Sequence, residues 1–125
     1  MKRTIQTILC VIVGLMFINS GLNKIFNYLP IPSDLPEAVT RDNAAMAEIA
    51  WLLPLIAVAE ILGGILLIVP KTRALGAVVL FPVMIGIILS HLTTMPETLA
   101  LPAAFFAVIL WVIYDNREKY MPMIR

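Results

Sequence analysis

Charged residues are scarce in this chain. Only 14% of its 125 residues are Asp, Glu, Lys or Arg, whereas 61% are hydrophobic. A soluble domain contains about 25% charged and about 45–50% apolar residues, and a chain this short cannot enclose such an apolar excess in one core. The composition therefore excludes an ordinary soluble domain and indicates that the chain lies in a membrane.

Cysteine and histidine occur only once each, as Cys10 and His91. A lone Cys allows neither an intramolecular disulfide nor a C-x-x-C redox pair, so we interpret Cys10 as a small apolar side chain. A single His cannot supply both axial ligands of a membrane haem, and no second His or Cys completes a zinc site. We expect no metal site, and the net charge of +1 does not indicate a nucleic-acid partner.

Long apolar segments make up most of the sequence. Four of them approach the ~20 residues that a helix needs to cross the hydrocarbon core of a bilayer. They cover about residues 4–29, 45–69, 72–92 and 98–114. The one long connection, residues 30–44, carries three prolines and several charges, which favours an interfacial loop with at most one short helix.

These segments predict one all-α membrane domain over residues 1–125, a bundle of four transmembrane helices that run up-down-up-down. We expect the first segment to stay as a span, because no small-x-small cleavage pattern follows it. If the helices alternate, the basic residues of the ends and loops collect on one side, with Arg41 alone on the other. They are Lys2, Arg3, Lys71, Arg73, Arg117, Lys119 and Arg125. This asymmetry predicts that both termini are cytoplasmic.

Glu60 is the one charged residue in the apolar run of residues 49–69. At ~1.5 Å per residue it lies near the bilayer midplane, too deep for its carboxylate to reach the interface. A central carboxylate costs about 2.5–3.5 kcal/mol on insertion scales, while thirteen Leu, Ile and Val residues of the run return about 6 kcal/mol in total. The helix can therefore insert with Glu60 either protonated or paired, and an intramembrane acid is a candidate functional group.

Polar residues on the first segment offer partners for this acid. Five of them share one helical face, namely Asn19, Ser20, Asn23, Lys24 and Asn27. For the asparagines alone, hydrogen bonding between helices is the favoured interpretation, and Lys24 could instead extend to the interface. His91, near the end of the third segment, is either a proton-transfer group or an interfacial polar tip.

Small residues near Glu60 predict close helix packing. Gly63 and Gly64 follow the acid by three and four positions, and Gly21 lies within the polar face of the first segment. Small residues let a neighbouring backbone approach closely, so these glycines would bring another helix within reach of the acid.

Three phrases together resemble the DoxX family of small bacterial membrane proteins. They are "GLMFINSGLNKIF" in the first segment, "AEILGGILLIVPKTRALGA" across the second and third, and the "SH" that ends the third. The resemblance implies a four-helix protein of the bacterial inner membrane. It also implies that Gly21 with Lys24, Glu60 with Gly63 and Gly64, and His91 match the family's polar and small-residue signatures. Some relatives are subunits of a thiosulfate:quinone oxidoreductase, so a quinone is the cofactor and a redox protein the partner that the resemblance allows.

The sequence leaves three functions open. The first is an accessory or anchoring subunit of a membrane redox or stress-response assembly, with a quinone contacted by a polar site of Asn19, Asn23, Lys24, Glu60 and His91. The second is a small proton-coupled transporter or channel that uses Glu60, for which four helices are few unless the chain forms a homo-oligomer. The third is a purely structural bundle whose polar residues specify packing. No residue is assigned a catalytic role.

Overall fold

The computed structural model describes residues 1–124 and contains no strand within that range. Its α-helices are α1 (Lys2–Phe26), α2 (Glu37–Glu48), α3 (Leu52–Ile68), α4 (Arg73–Thr94), α5 (Ala100–Asp115) and the short α6 (Arg117–Tyr120). Three 3-10 turns complete the chain, at Pro70–Thr72, Pro96–Thr98 and Met121–Ile124. The predicted all-helical class is confirmed. Arg125, one of the basic residues that we assign to the cytoplasmic side, lies outside the described residues.

Helices α1, α3, α4 and α5 pack side by side into a bundle, with α3 between α1 and α4. Leu67, Leu80, Met84 and Ile109 are fully buried at its centre. Large apolar side chains remain exposed around the outside, among them Ile8, Leu62, Leu89 and Leu110. Because contiguous apolar surface is rare on a soluble monomer, this outer face is the surface that lipid would cover.

Two helical segments are long and apolar enough to cross a membrane, Lys2–Phe26 and Pro70–Thr94. Helices α3 and α5 have 17 and 16 residues, about 25 Å each, which is less than the ~30 Å hydrocarbon core. Helix α2 precedes α3 at a bend of 97°. Helix α5 is followed by the helical segment Arg117–Ile124 at a bend of 67°. A membrane bundle is therefore supported, while the four-span topology stays a prediction.

The prediction of one continuous helix over residues 45–69 is wrong, because the chain breaks between α2 and α3. Ile49 is extended, and α3 begins at Leu52. Pro54 lies in the first turn of α3, where its missing N–H costs nothing, whereas a helix continued from α2 would clash at the carbonyl of Ala50. The other three helices end within three residues of their predicted bounds.

Glycines set the distance between the bundle helices. A Cβ on Gly64 would lie 2.6 Å from the Gly14 carbonyl oxygen, and a Cβ on Gly21 would lie 2.7 Å from the Ala57 oxygen. Only a glycine fits at such contacts without displacing backbone, so α1 and α3 touch along this line. Gly63 meets the Leu80 side chain of α4 in the same way. The approach of α1 to α3 places the polar part of α1 beside Glu60.

Polar contacts fasten the base of the bundle, which we define as the end where α1 and α4 begin. Arg73 is only 6% exposed, and its guanidinium donates to the backbone oxygens of Leu67 (2.9 Å) and Ile68 (3.0 Å) and to Thr7 Oγ1 (3.2 Å). It therefore caps the end of α3 and ties it to α1. Gln6 Nε2 donates to Asp115 Oδ2 at 3.0 Å, which joins the start of α1 to the end of α5.

Candidate functional site

Lys24 and Glu60 form an ion pair between α1 and α3. The Lys24 ammonium nitrogen lies 2.7 Å from Glu60 Oε1. Ser20, one turn before Lys24, accepts a hydrogen bond from that ammonium at 3.0 Å and donates its own hydroxyl proton to Glu60 Oε2 at 3.0 Å. The three groups close a ring of charge and hydrogen bonds, which offsets the cost of burying the carboxylate.

Glu60 occupies the middle of α3, eight residues from either end, and is only 1% exposed. Its Oε1 atom lies against the Lys24 ammonium, and no other donor among residues 1–124 reaches it. Side-chain exposure is 27% for Lys24 against 2% for Glu60. The ammonium therefore faces an opening, while the carboxylate lies inside with unused acceptor capacity.

His91 lies on α4 near the top of the bundle, the end opposite the base. Its Nδ1 lies 2.9 Å from the Ile87 carbonyl oxygen, one turn earlier on the same helix. Since a carbonyl only accepts, Nδ1 carries the proton and Nε2 is the nitrogen free to contact another group. His91 lines both of the cavities that contain Glu60.

Asn19 and Asn23 belong to the end of α1 and not to the contacts of Glu60. The Tyr28 hydroxyl donates to the Asn19 backbone oxygen at 2.9 Å and also contacts the Asn19 side chain. Asn23 Oδ1 accepts from the Leu29 backbone N–H at 2.9 Å. Asn27 takes a left-handed conformation with φ 52°, which ends the helix. These contacts fold the start of the connection back over the last turns of α1.

A central cavity of about 420 Å³ lies among α1, α3, α4 and α5. Its walls are largely apolar, with Phe17, Met84 and Phe105 among them, and the rings of Phe17 and Phe105 lie 6.2 Å apart. Four polar side chains line the same space, Ser20, Glu60, His91 and Thr98. An apolar cavity with a few convergent polar groups is the usual form of a small-molecule site.

A second, side cavity of about 530 Å³ lies between α3 and α4 and is roofed by α2. Lys24, Glu60, Ser90 and His91 are its polar lining residues nearest the bundle, and Asn43 contributes from α2. Glu60, Ile87 and His91 line both cavities. Of the predicted residues, Glu60 and His91 thus lie on the partition between the two cavities, while Lys24 pairs with Glu60 and lines the side cavity alone.

Two participants were not among the predicted site residues. Ser20 was recognised only as part of a polar face, although its hydroxyl joins Lys24 to Glu60. Its spacing of four residues before Lys24 is the signal that pairs them on one helical face. Phe105 of α5 carries no sequence signal, because an aromatic residue in an apolar helix is equally typical of packing.

Metal binding is not indicated by this arrangement. Within residues 1–124 no three His, Cys, Asp or Glu side chains cluster as metal ligands would. The site instead offers an ammonium and a hydroxyl as donors, a carboxylate as acceptor and an imidazole that can do either. Such a set can hold a polar headgroup or exchange protons with it.

A model of the DoxX family matches residues 5–94 of the chain, which include α1 to α4 and therefore Lys24, Glu60 and His91. The chain belongs to the DoxX family. The match ends before α5. Helix α5, which supplies one wall of the central cavity, therefore lies outside the matched segment.

One curated relative of this chain is the uncharacterised protein YwoB of Bacillus subtilis (strain 168). It is 32% identical over 66 residues, which cover 53% of this chain and 43% of that protein. The matched segment is thus less than half the length of the relative. No solved structure matches the chain.

Proposed function

We propose that this DoxX-family chain crosses the bacterial inner membrane four times, with both termini in the cytoplasm. The basic residues at the base of the bundle support this orientation, since cytoplasmic ends are enriched in Lys and Arg. Helices α3 and α5, at about 25 Å, would cross a bilayer that thins locally by a few ångströms. Helix α2, which meets α3 at an angle of 97°, then lies along the outer surface of the membrane and does not extend α3.

We infer that the chain is an accessory subunit of a membrane redox or stress-response assembly, and that its polar site contacts a quinone. One observation carries this proposal: the Lys24–Glu60 pair and His91 line the side cavity of about 530 Å³, which is large enough for a quinone ring. The described residues hold no metal-ligand cluster, and the single Cys cannot form a redox pair. Electrons would therefore come from a partner protein, which makes a subunit role the natural one.

The residues present fit a quinone headgroup. A quinone ring carries two carbonyl acceptors that become hydroxyl donors on reduction. Lys24 is a donor for a carbonyl oxygen, whereas the free Nε2 of His91 accepts from a hydroxyl when neutral and donates when protonated. Leu55, Ile56 and Val83 give this cavity apolar walls. The bound quinone would supply the two-electron redox chemistry that the chain lacks.

Retention of quinone by the purified protein tests this proposal. The protein is placed in nanodiscs that contain a defined amount of a long-chain isoprenoid quinone, transferred to quinone-free nanodiscs, and the retained quinone is quantified. We expect wild-type protein to retain about one quinone per chain, and Glu60→Gln and Lys24→Met to lose most of it. Glu48→Gln is the matched control, because Glu48 is exposed at the end of α2 and lines neither cavity.

The assembly role has its own measurement. The tagged chain, purified from its native membrane in a mild detergent, should bring a defined redox partner in a fixed ratio. Recovery of the chain alone, together with no quinone retention by the wild type, would reject the proposal and favour a purely structural bundle.

Proton-coupled transport through Glu60 is a second candidate. It is favoured by the position of Glu60 and His91 on the partition between two cavities, since a carrier group needs access from two sides. In liposomes with an imposed pH gradient, Glu60→Gln should abolish proton flux while Glu48→Gln leaves it intact. Flux that is equal in wild type and Glu60→Gln would exclude this function.

A further inference from the structure

Gly86 on α4 differs from the other glycines of the chain. At Gly14, Gly21, Gly63, Gly64 and Gly76 an added Cβ would meet another atom at 2.5–2.6 Å, so each of these glycines permits helix packing. An added Cβ at Gly86 meets nothing within 4 Å. A glycine inside a helix is unfavourable unless its missing side chain has a use. Packing within this chain does not supply that use, and Gly86 borders the side cavity.

Pro82 stands one turn before Gly86 and faces the same cavity. A proline inside a helix removes one backbone hydrogen bond and bends the helix. Below this point α3 and α4 are in close contact, since a Cβ on Gly76 would lie 2.5 Å from the Leu67 nitrogen. Above it, the two helices enclose a cavity of about 530 Å³. The cleft between α3 and α4 therefore opens in the half of the bundle nearer the top.

The walls of this cleft are apolar on the outside of the bundle and polar on the inside. Leu55 of α3 and Pro82 and Gly86 of α4 are exposed on the lipid-facing side. At the inner side lie the polar groups of Lys24 and Glu60, and α2 covers the top through Met46. An apolar mouth that leads to a buried ion pair matches a molecule with a long apolar tail and a polar head.

The Glu60 carboxylate points to the same occupant. It is 1% exposed and borders the side cavity, and the Lys24 ammonium is the one donor among residues 1–124 that reaches its Oε1. Each carboxylate oxygen has two acceptor sites, so Oε1 can take a further donor beside Lys24. A head group that arrives through the cleft would place such a donor there, as would the hydroxyl of a reduced quinone.

We propose that the cleft between α3 and α4 is the lateral entrance through which an amphiphile from the bilayer reaches the Lys24–Glu60 site, and that its tail stays in this cleft. Gly86 and Pro82 keep the mouth open, and α2 closes it toward the aqueous phase. This inference rests on the proposed quinone contact, and it assigns the tail to the outer part of the side cavity and the ring to its inner end, beside Lys24 and Glu60. His91 also lines this cavity and offers the ring a second polar contact.

Photolabelling tests the position of the tail. A long-chain quinone with a diazirine on its tail is irradiated with the wild-type protein in nanodiscs, and the labelled residues are identified by mass spectrometry. We expect labels on residues 52–60 of α3 and 79–90 of α4. Labels restricted to α1 and α5 would overturn the entrance, although quinone retention would still support the proposed function.

Gly86→Leu tests the entrance itself. The added side chain enters open space, and leucine is a better helix former than glycine, so the variant should fold. We expect it to slow association of the long-chain quinone on the order of tenfold, because the mouth is filled. Ala103→Leu is the matched control, an exposed α5 position that lines neither cavity, and it should bind at the wild-type rate.

The outcomes separate the two proposals. An unchanged rate in Gly86→Leu, with quinone bound by wild type and lost in Glu60→Gln, would reject the entrance alone. No binding to the wild type would reject the proposed function, and the entrance with it. Equal slowing in Gly86→Leu and Ala103→Leu would also reject the entrance, since bulk on the outer surface would then be sufficient.

Discussion

The Lys24 ammonium nitrogen lies 2.7 Å from Glu60 Oε1, and this ion pair joins the middle of α3 to the last turns of α1. Lys24 is partly exposed to a cavity while Glu60 is buried. A pair held in this way stabilises the crossing of α1 and α3 only while both partners are present. Its charges also give the bundle a polar centre from which a head group could be held.

Removal of one member of this pair should destabilise the protein more than removal of both. Lys24→Met leaves the Glu60 carboxylate buried without its counter-charge, and we expect a loss of about 3 kcal/mol in the free energy of unfolding. The double variant Lys24→Met/Glu60→Gln should recover much of that loss. Unfolding of the detergent-solubilised variants in a double-mutant cycle measures the difference. Additive effects of the two substitutions would contradict an energetic coupling.

Two glycines should respond in opposite ways to the same substitution. Gly64→Ala places a Cβ 2.6 Å from the Gly14 oxygen, so α1 and α3 must move apart, at a cost of about 1–3 kcal/mol. Gly86→Ala meets open space and should be neutral or stabilise the helix by up to about 1 kcal/mol. Thermal unfolding of both variants in one detergent decides this. A destabilised Gly86→Ala would show that this face of α4 is packed.

Arg73 and Lys71, two residues apart at the base, should differ in importance. Arg73→Met removes three hydrogen bonds and leaves the Leu67 and Ile68 oxygens without this donor, which should cost about 2–4 kcal/mol. Lys71 is exposed, so Lys71→Met should change stability by less than about 0.5 kcal/mol. The unfolding midpoints of the two variants test the contrast. Equal effects would mean that charge at the base matters and the cap does not.

The orientation can be checked by cysteine labelling in intact cells. With Cys10 replaced by Ser, a membrane-impermeant maleimide should label Asp42→Cys on α2 from outside and should not label Lys119→Cys until the membrane is opened. The native Cys10 is fully buried, so the unsubstituted chain should not be labelled and serves as the negative control. Labelling of Lys119→Cys from outside would reverse the orientation.

Most of the helical pattern could be predicted from the sequence, because hydrophobic length is a property of each segment alone. The start of α3 could not be placed in this way, since residues 45–51 are as apolar as many helical stretches. The decisive feature was Pro54, which is compatible with the first turn of a new helix and not with the interior of a continued one. In a continued helix it would produce a kink, whereas here it lies at the beginning of α3.

The residues around Glu60 were predicted only in part. Asn19 and Asn23 share a side of α1 with each other, and Ser20 and Lys24 lie one position, about 100°, further round the helix. That rotation decides which pair meets α3, and it depends on the glycine contacts at Gly21 and Gly64. Helical periodicity places all of these polar residues on one broad face of α1. It does not show which of them meet α3.

The sequence by itself determined that the chain is a membrane protein, that an acid lies deep in its second apolar segment and that its residues match the DoxX family. These properties depend on composition and on residue order along single helices. Only the tertiary structure decided that Lys24 and Ser20 are the partners of Glu60, that His91 and Glu60 border two cavities, and that Gly86 faces an open cleft. The reason is geometric: side chains on different helices meet only when the rotation and the separation of those helices are set, and close packing at the glycines sets both.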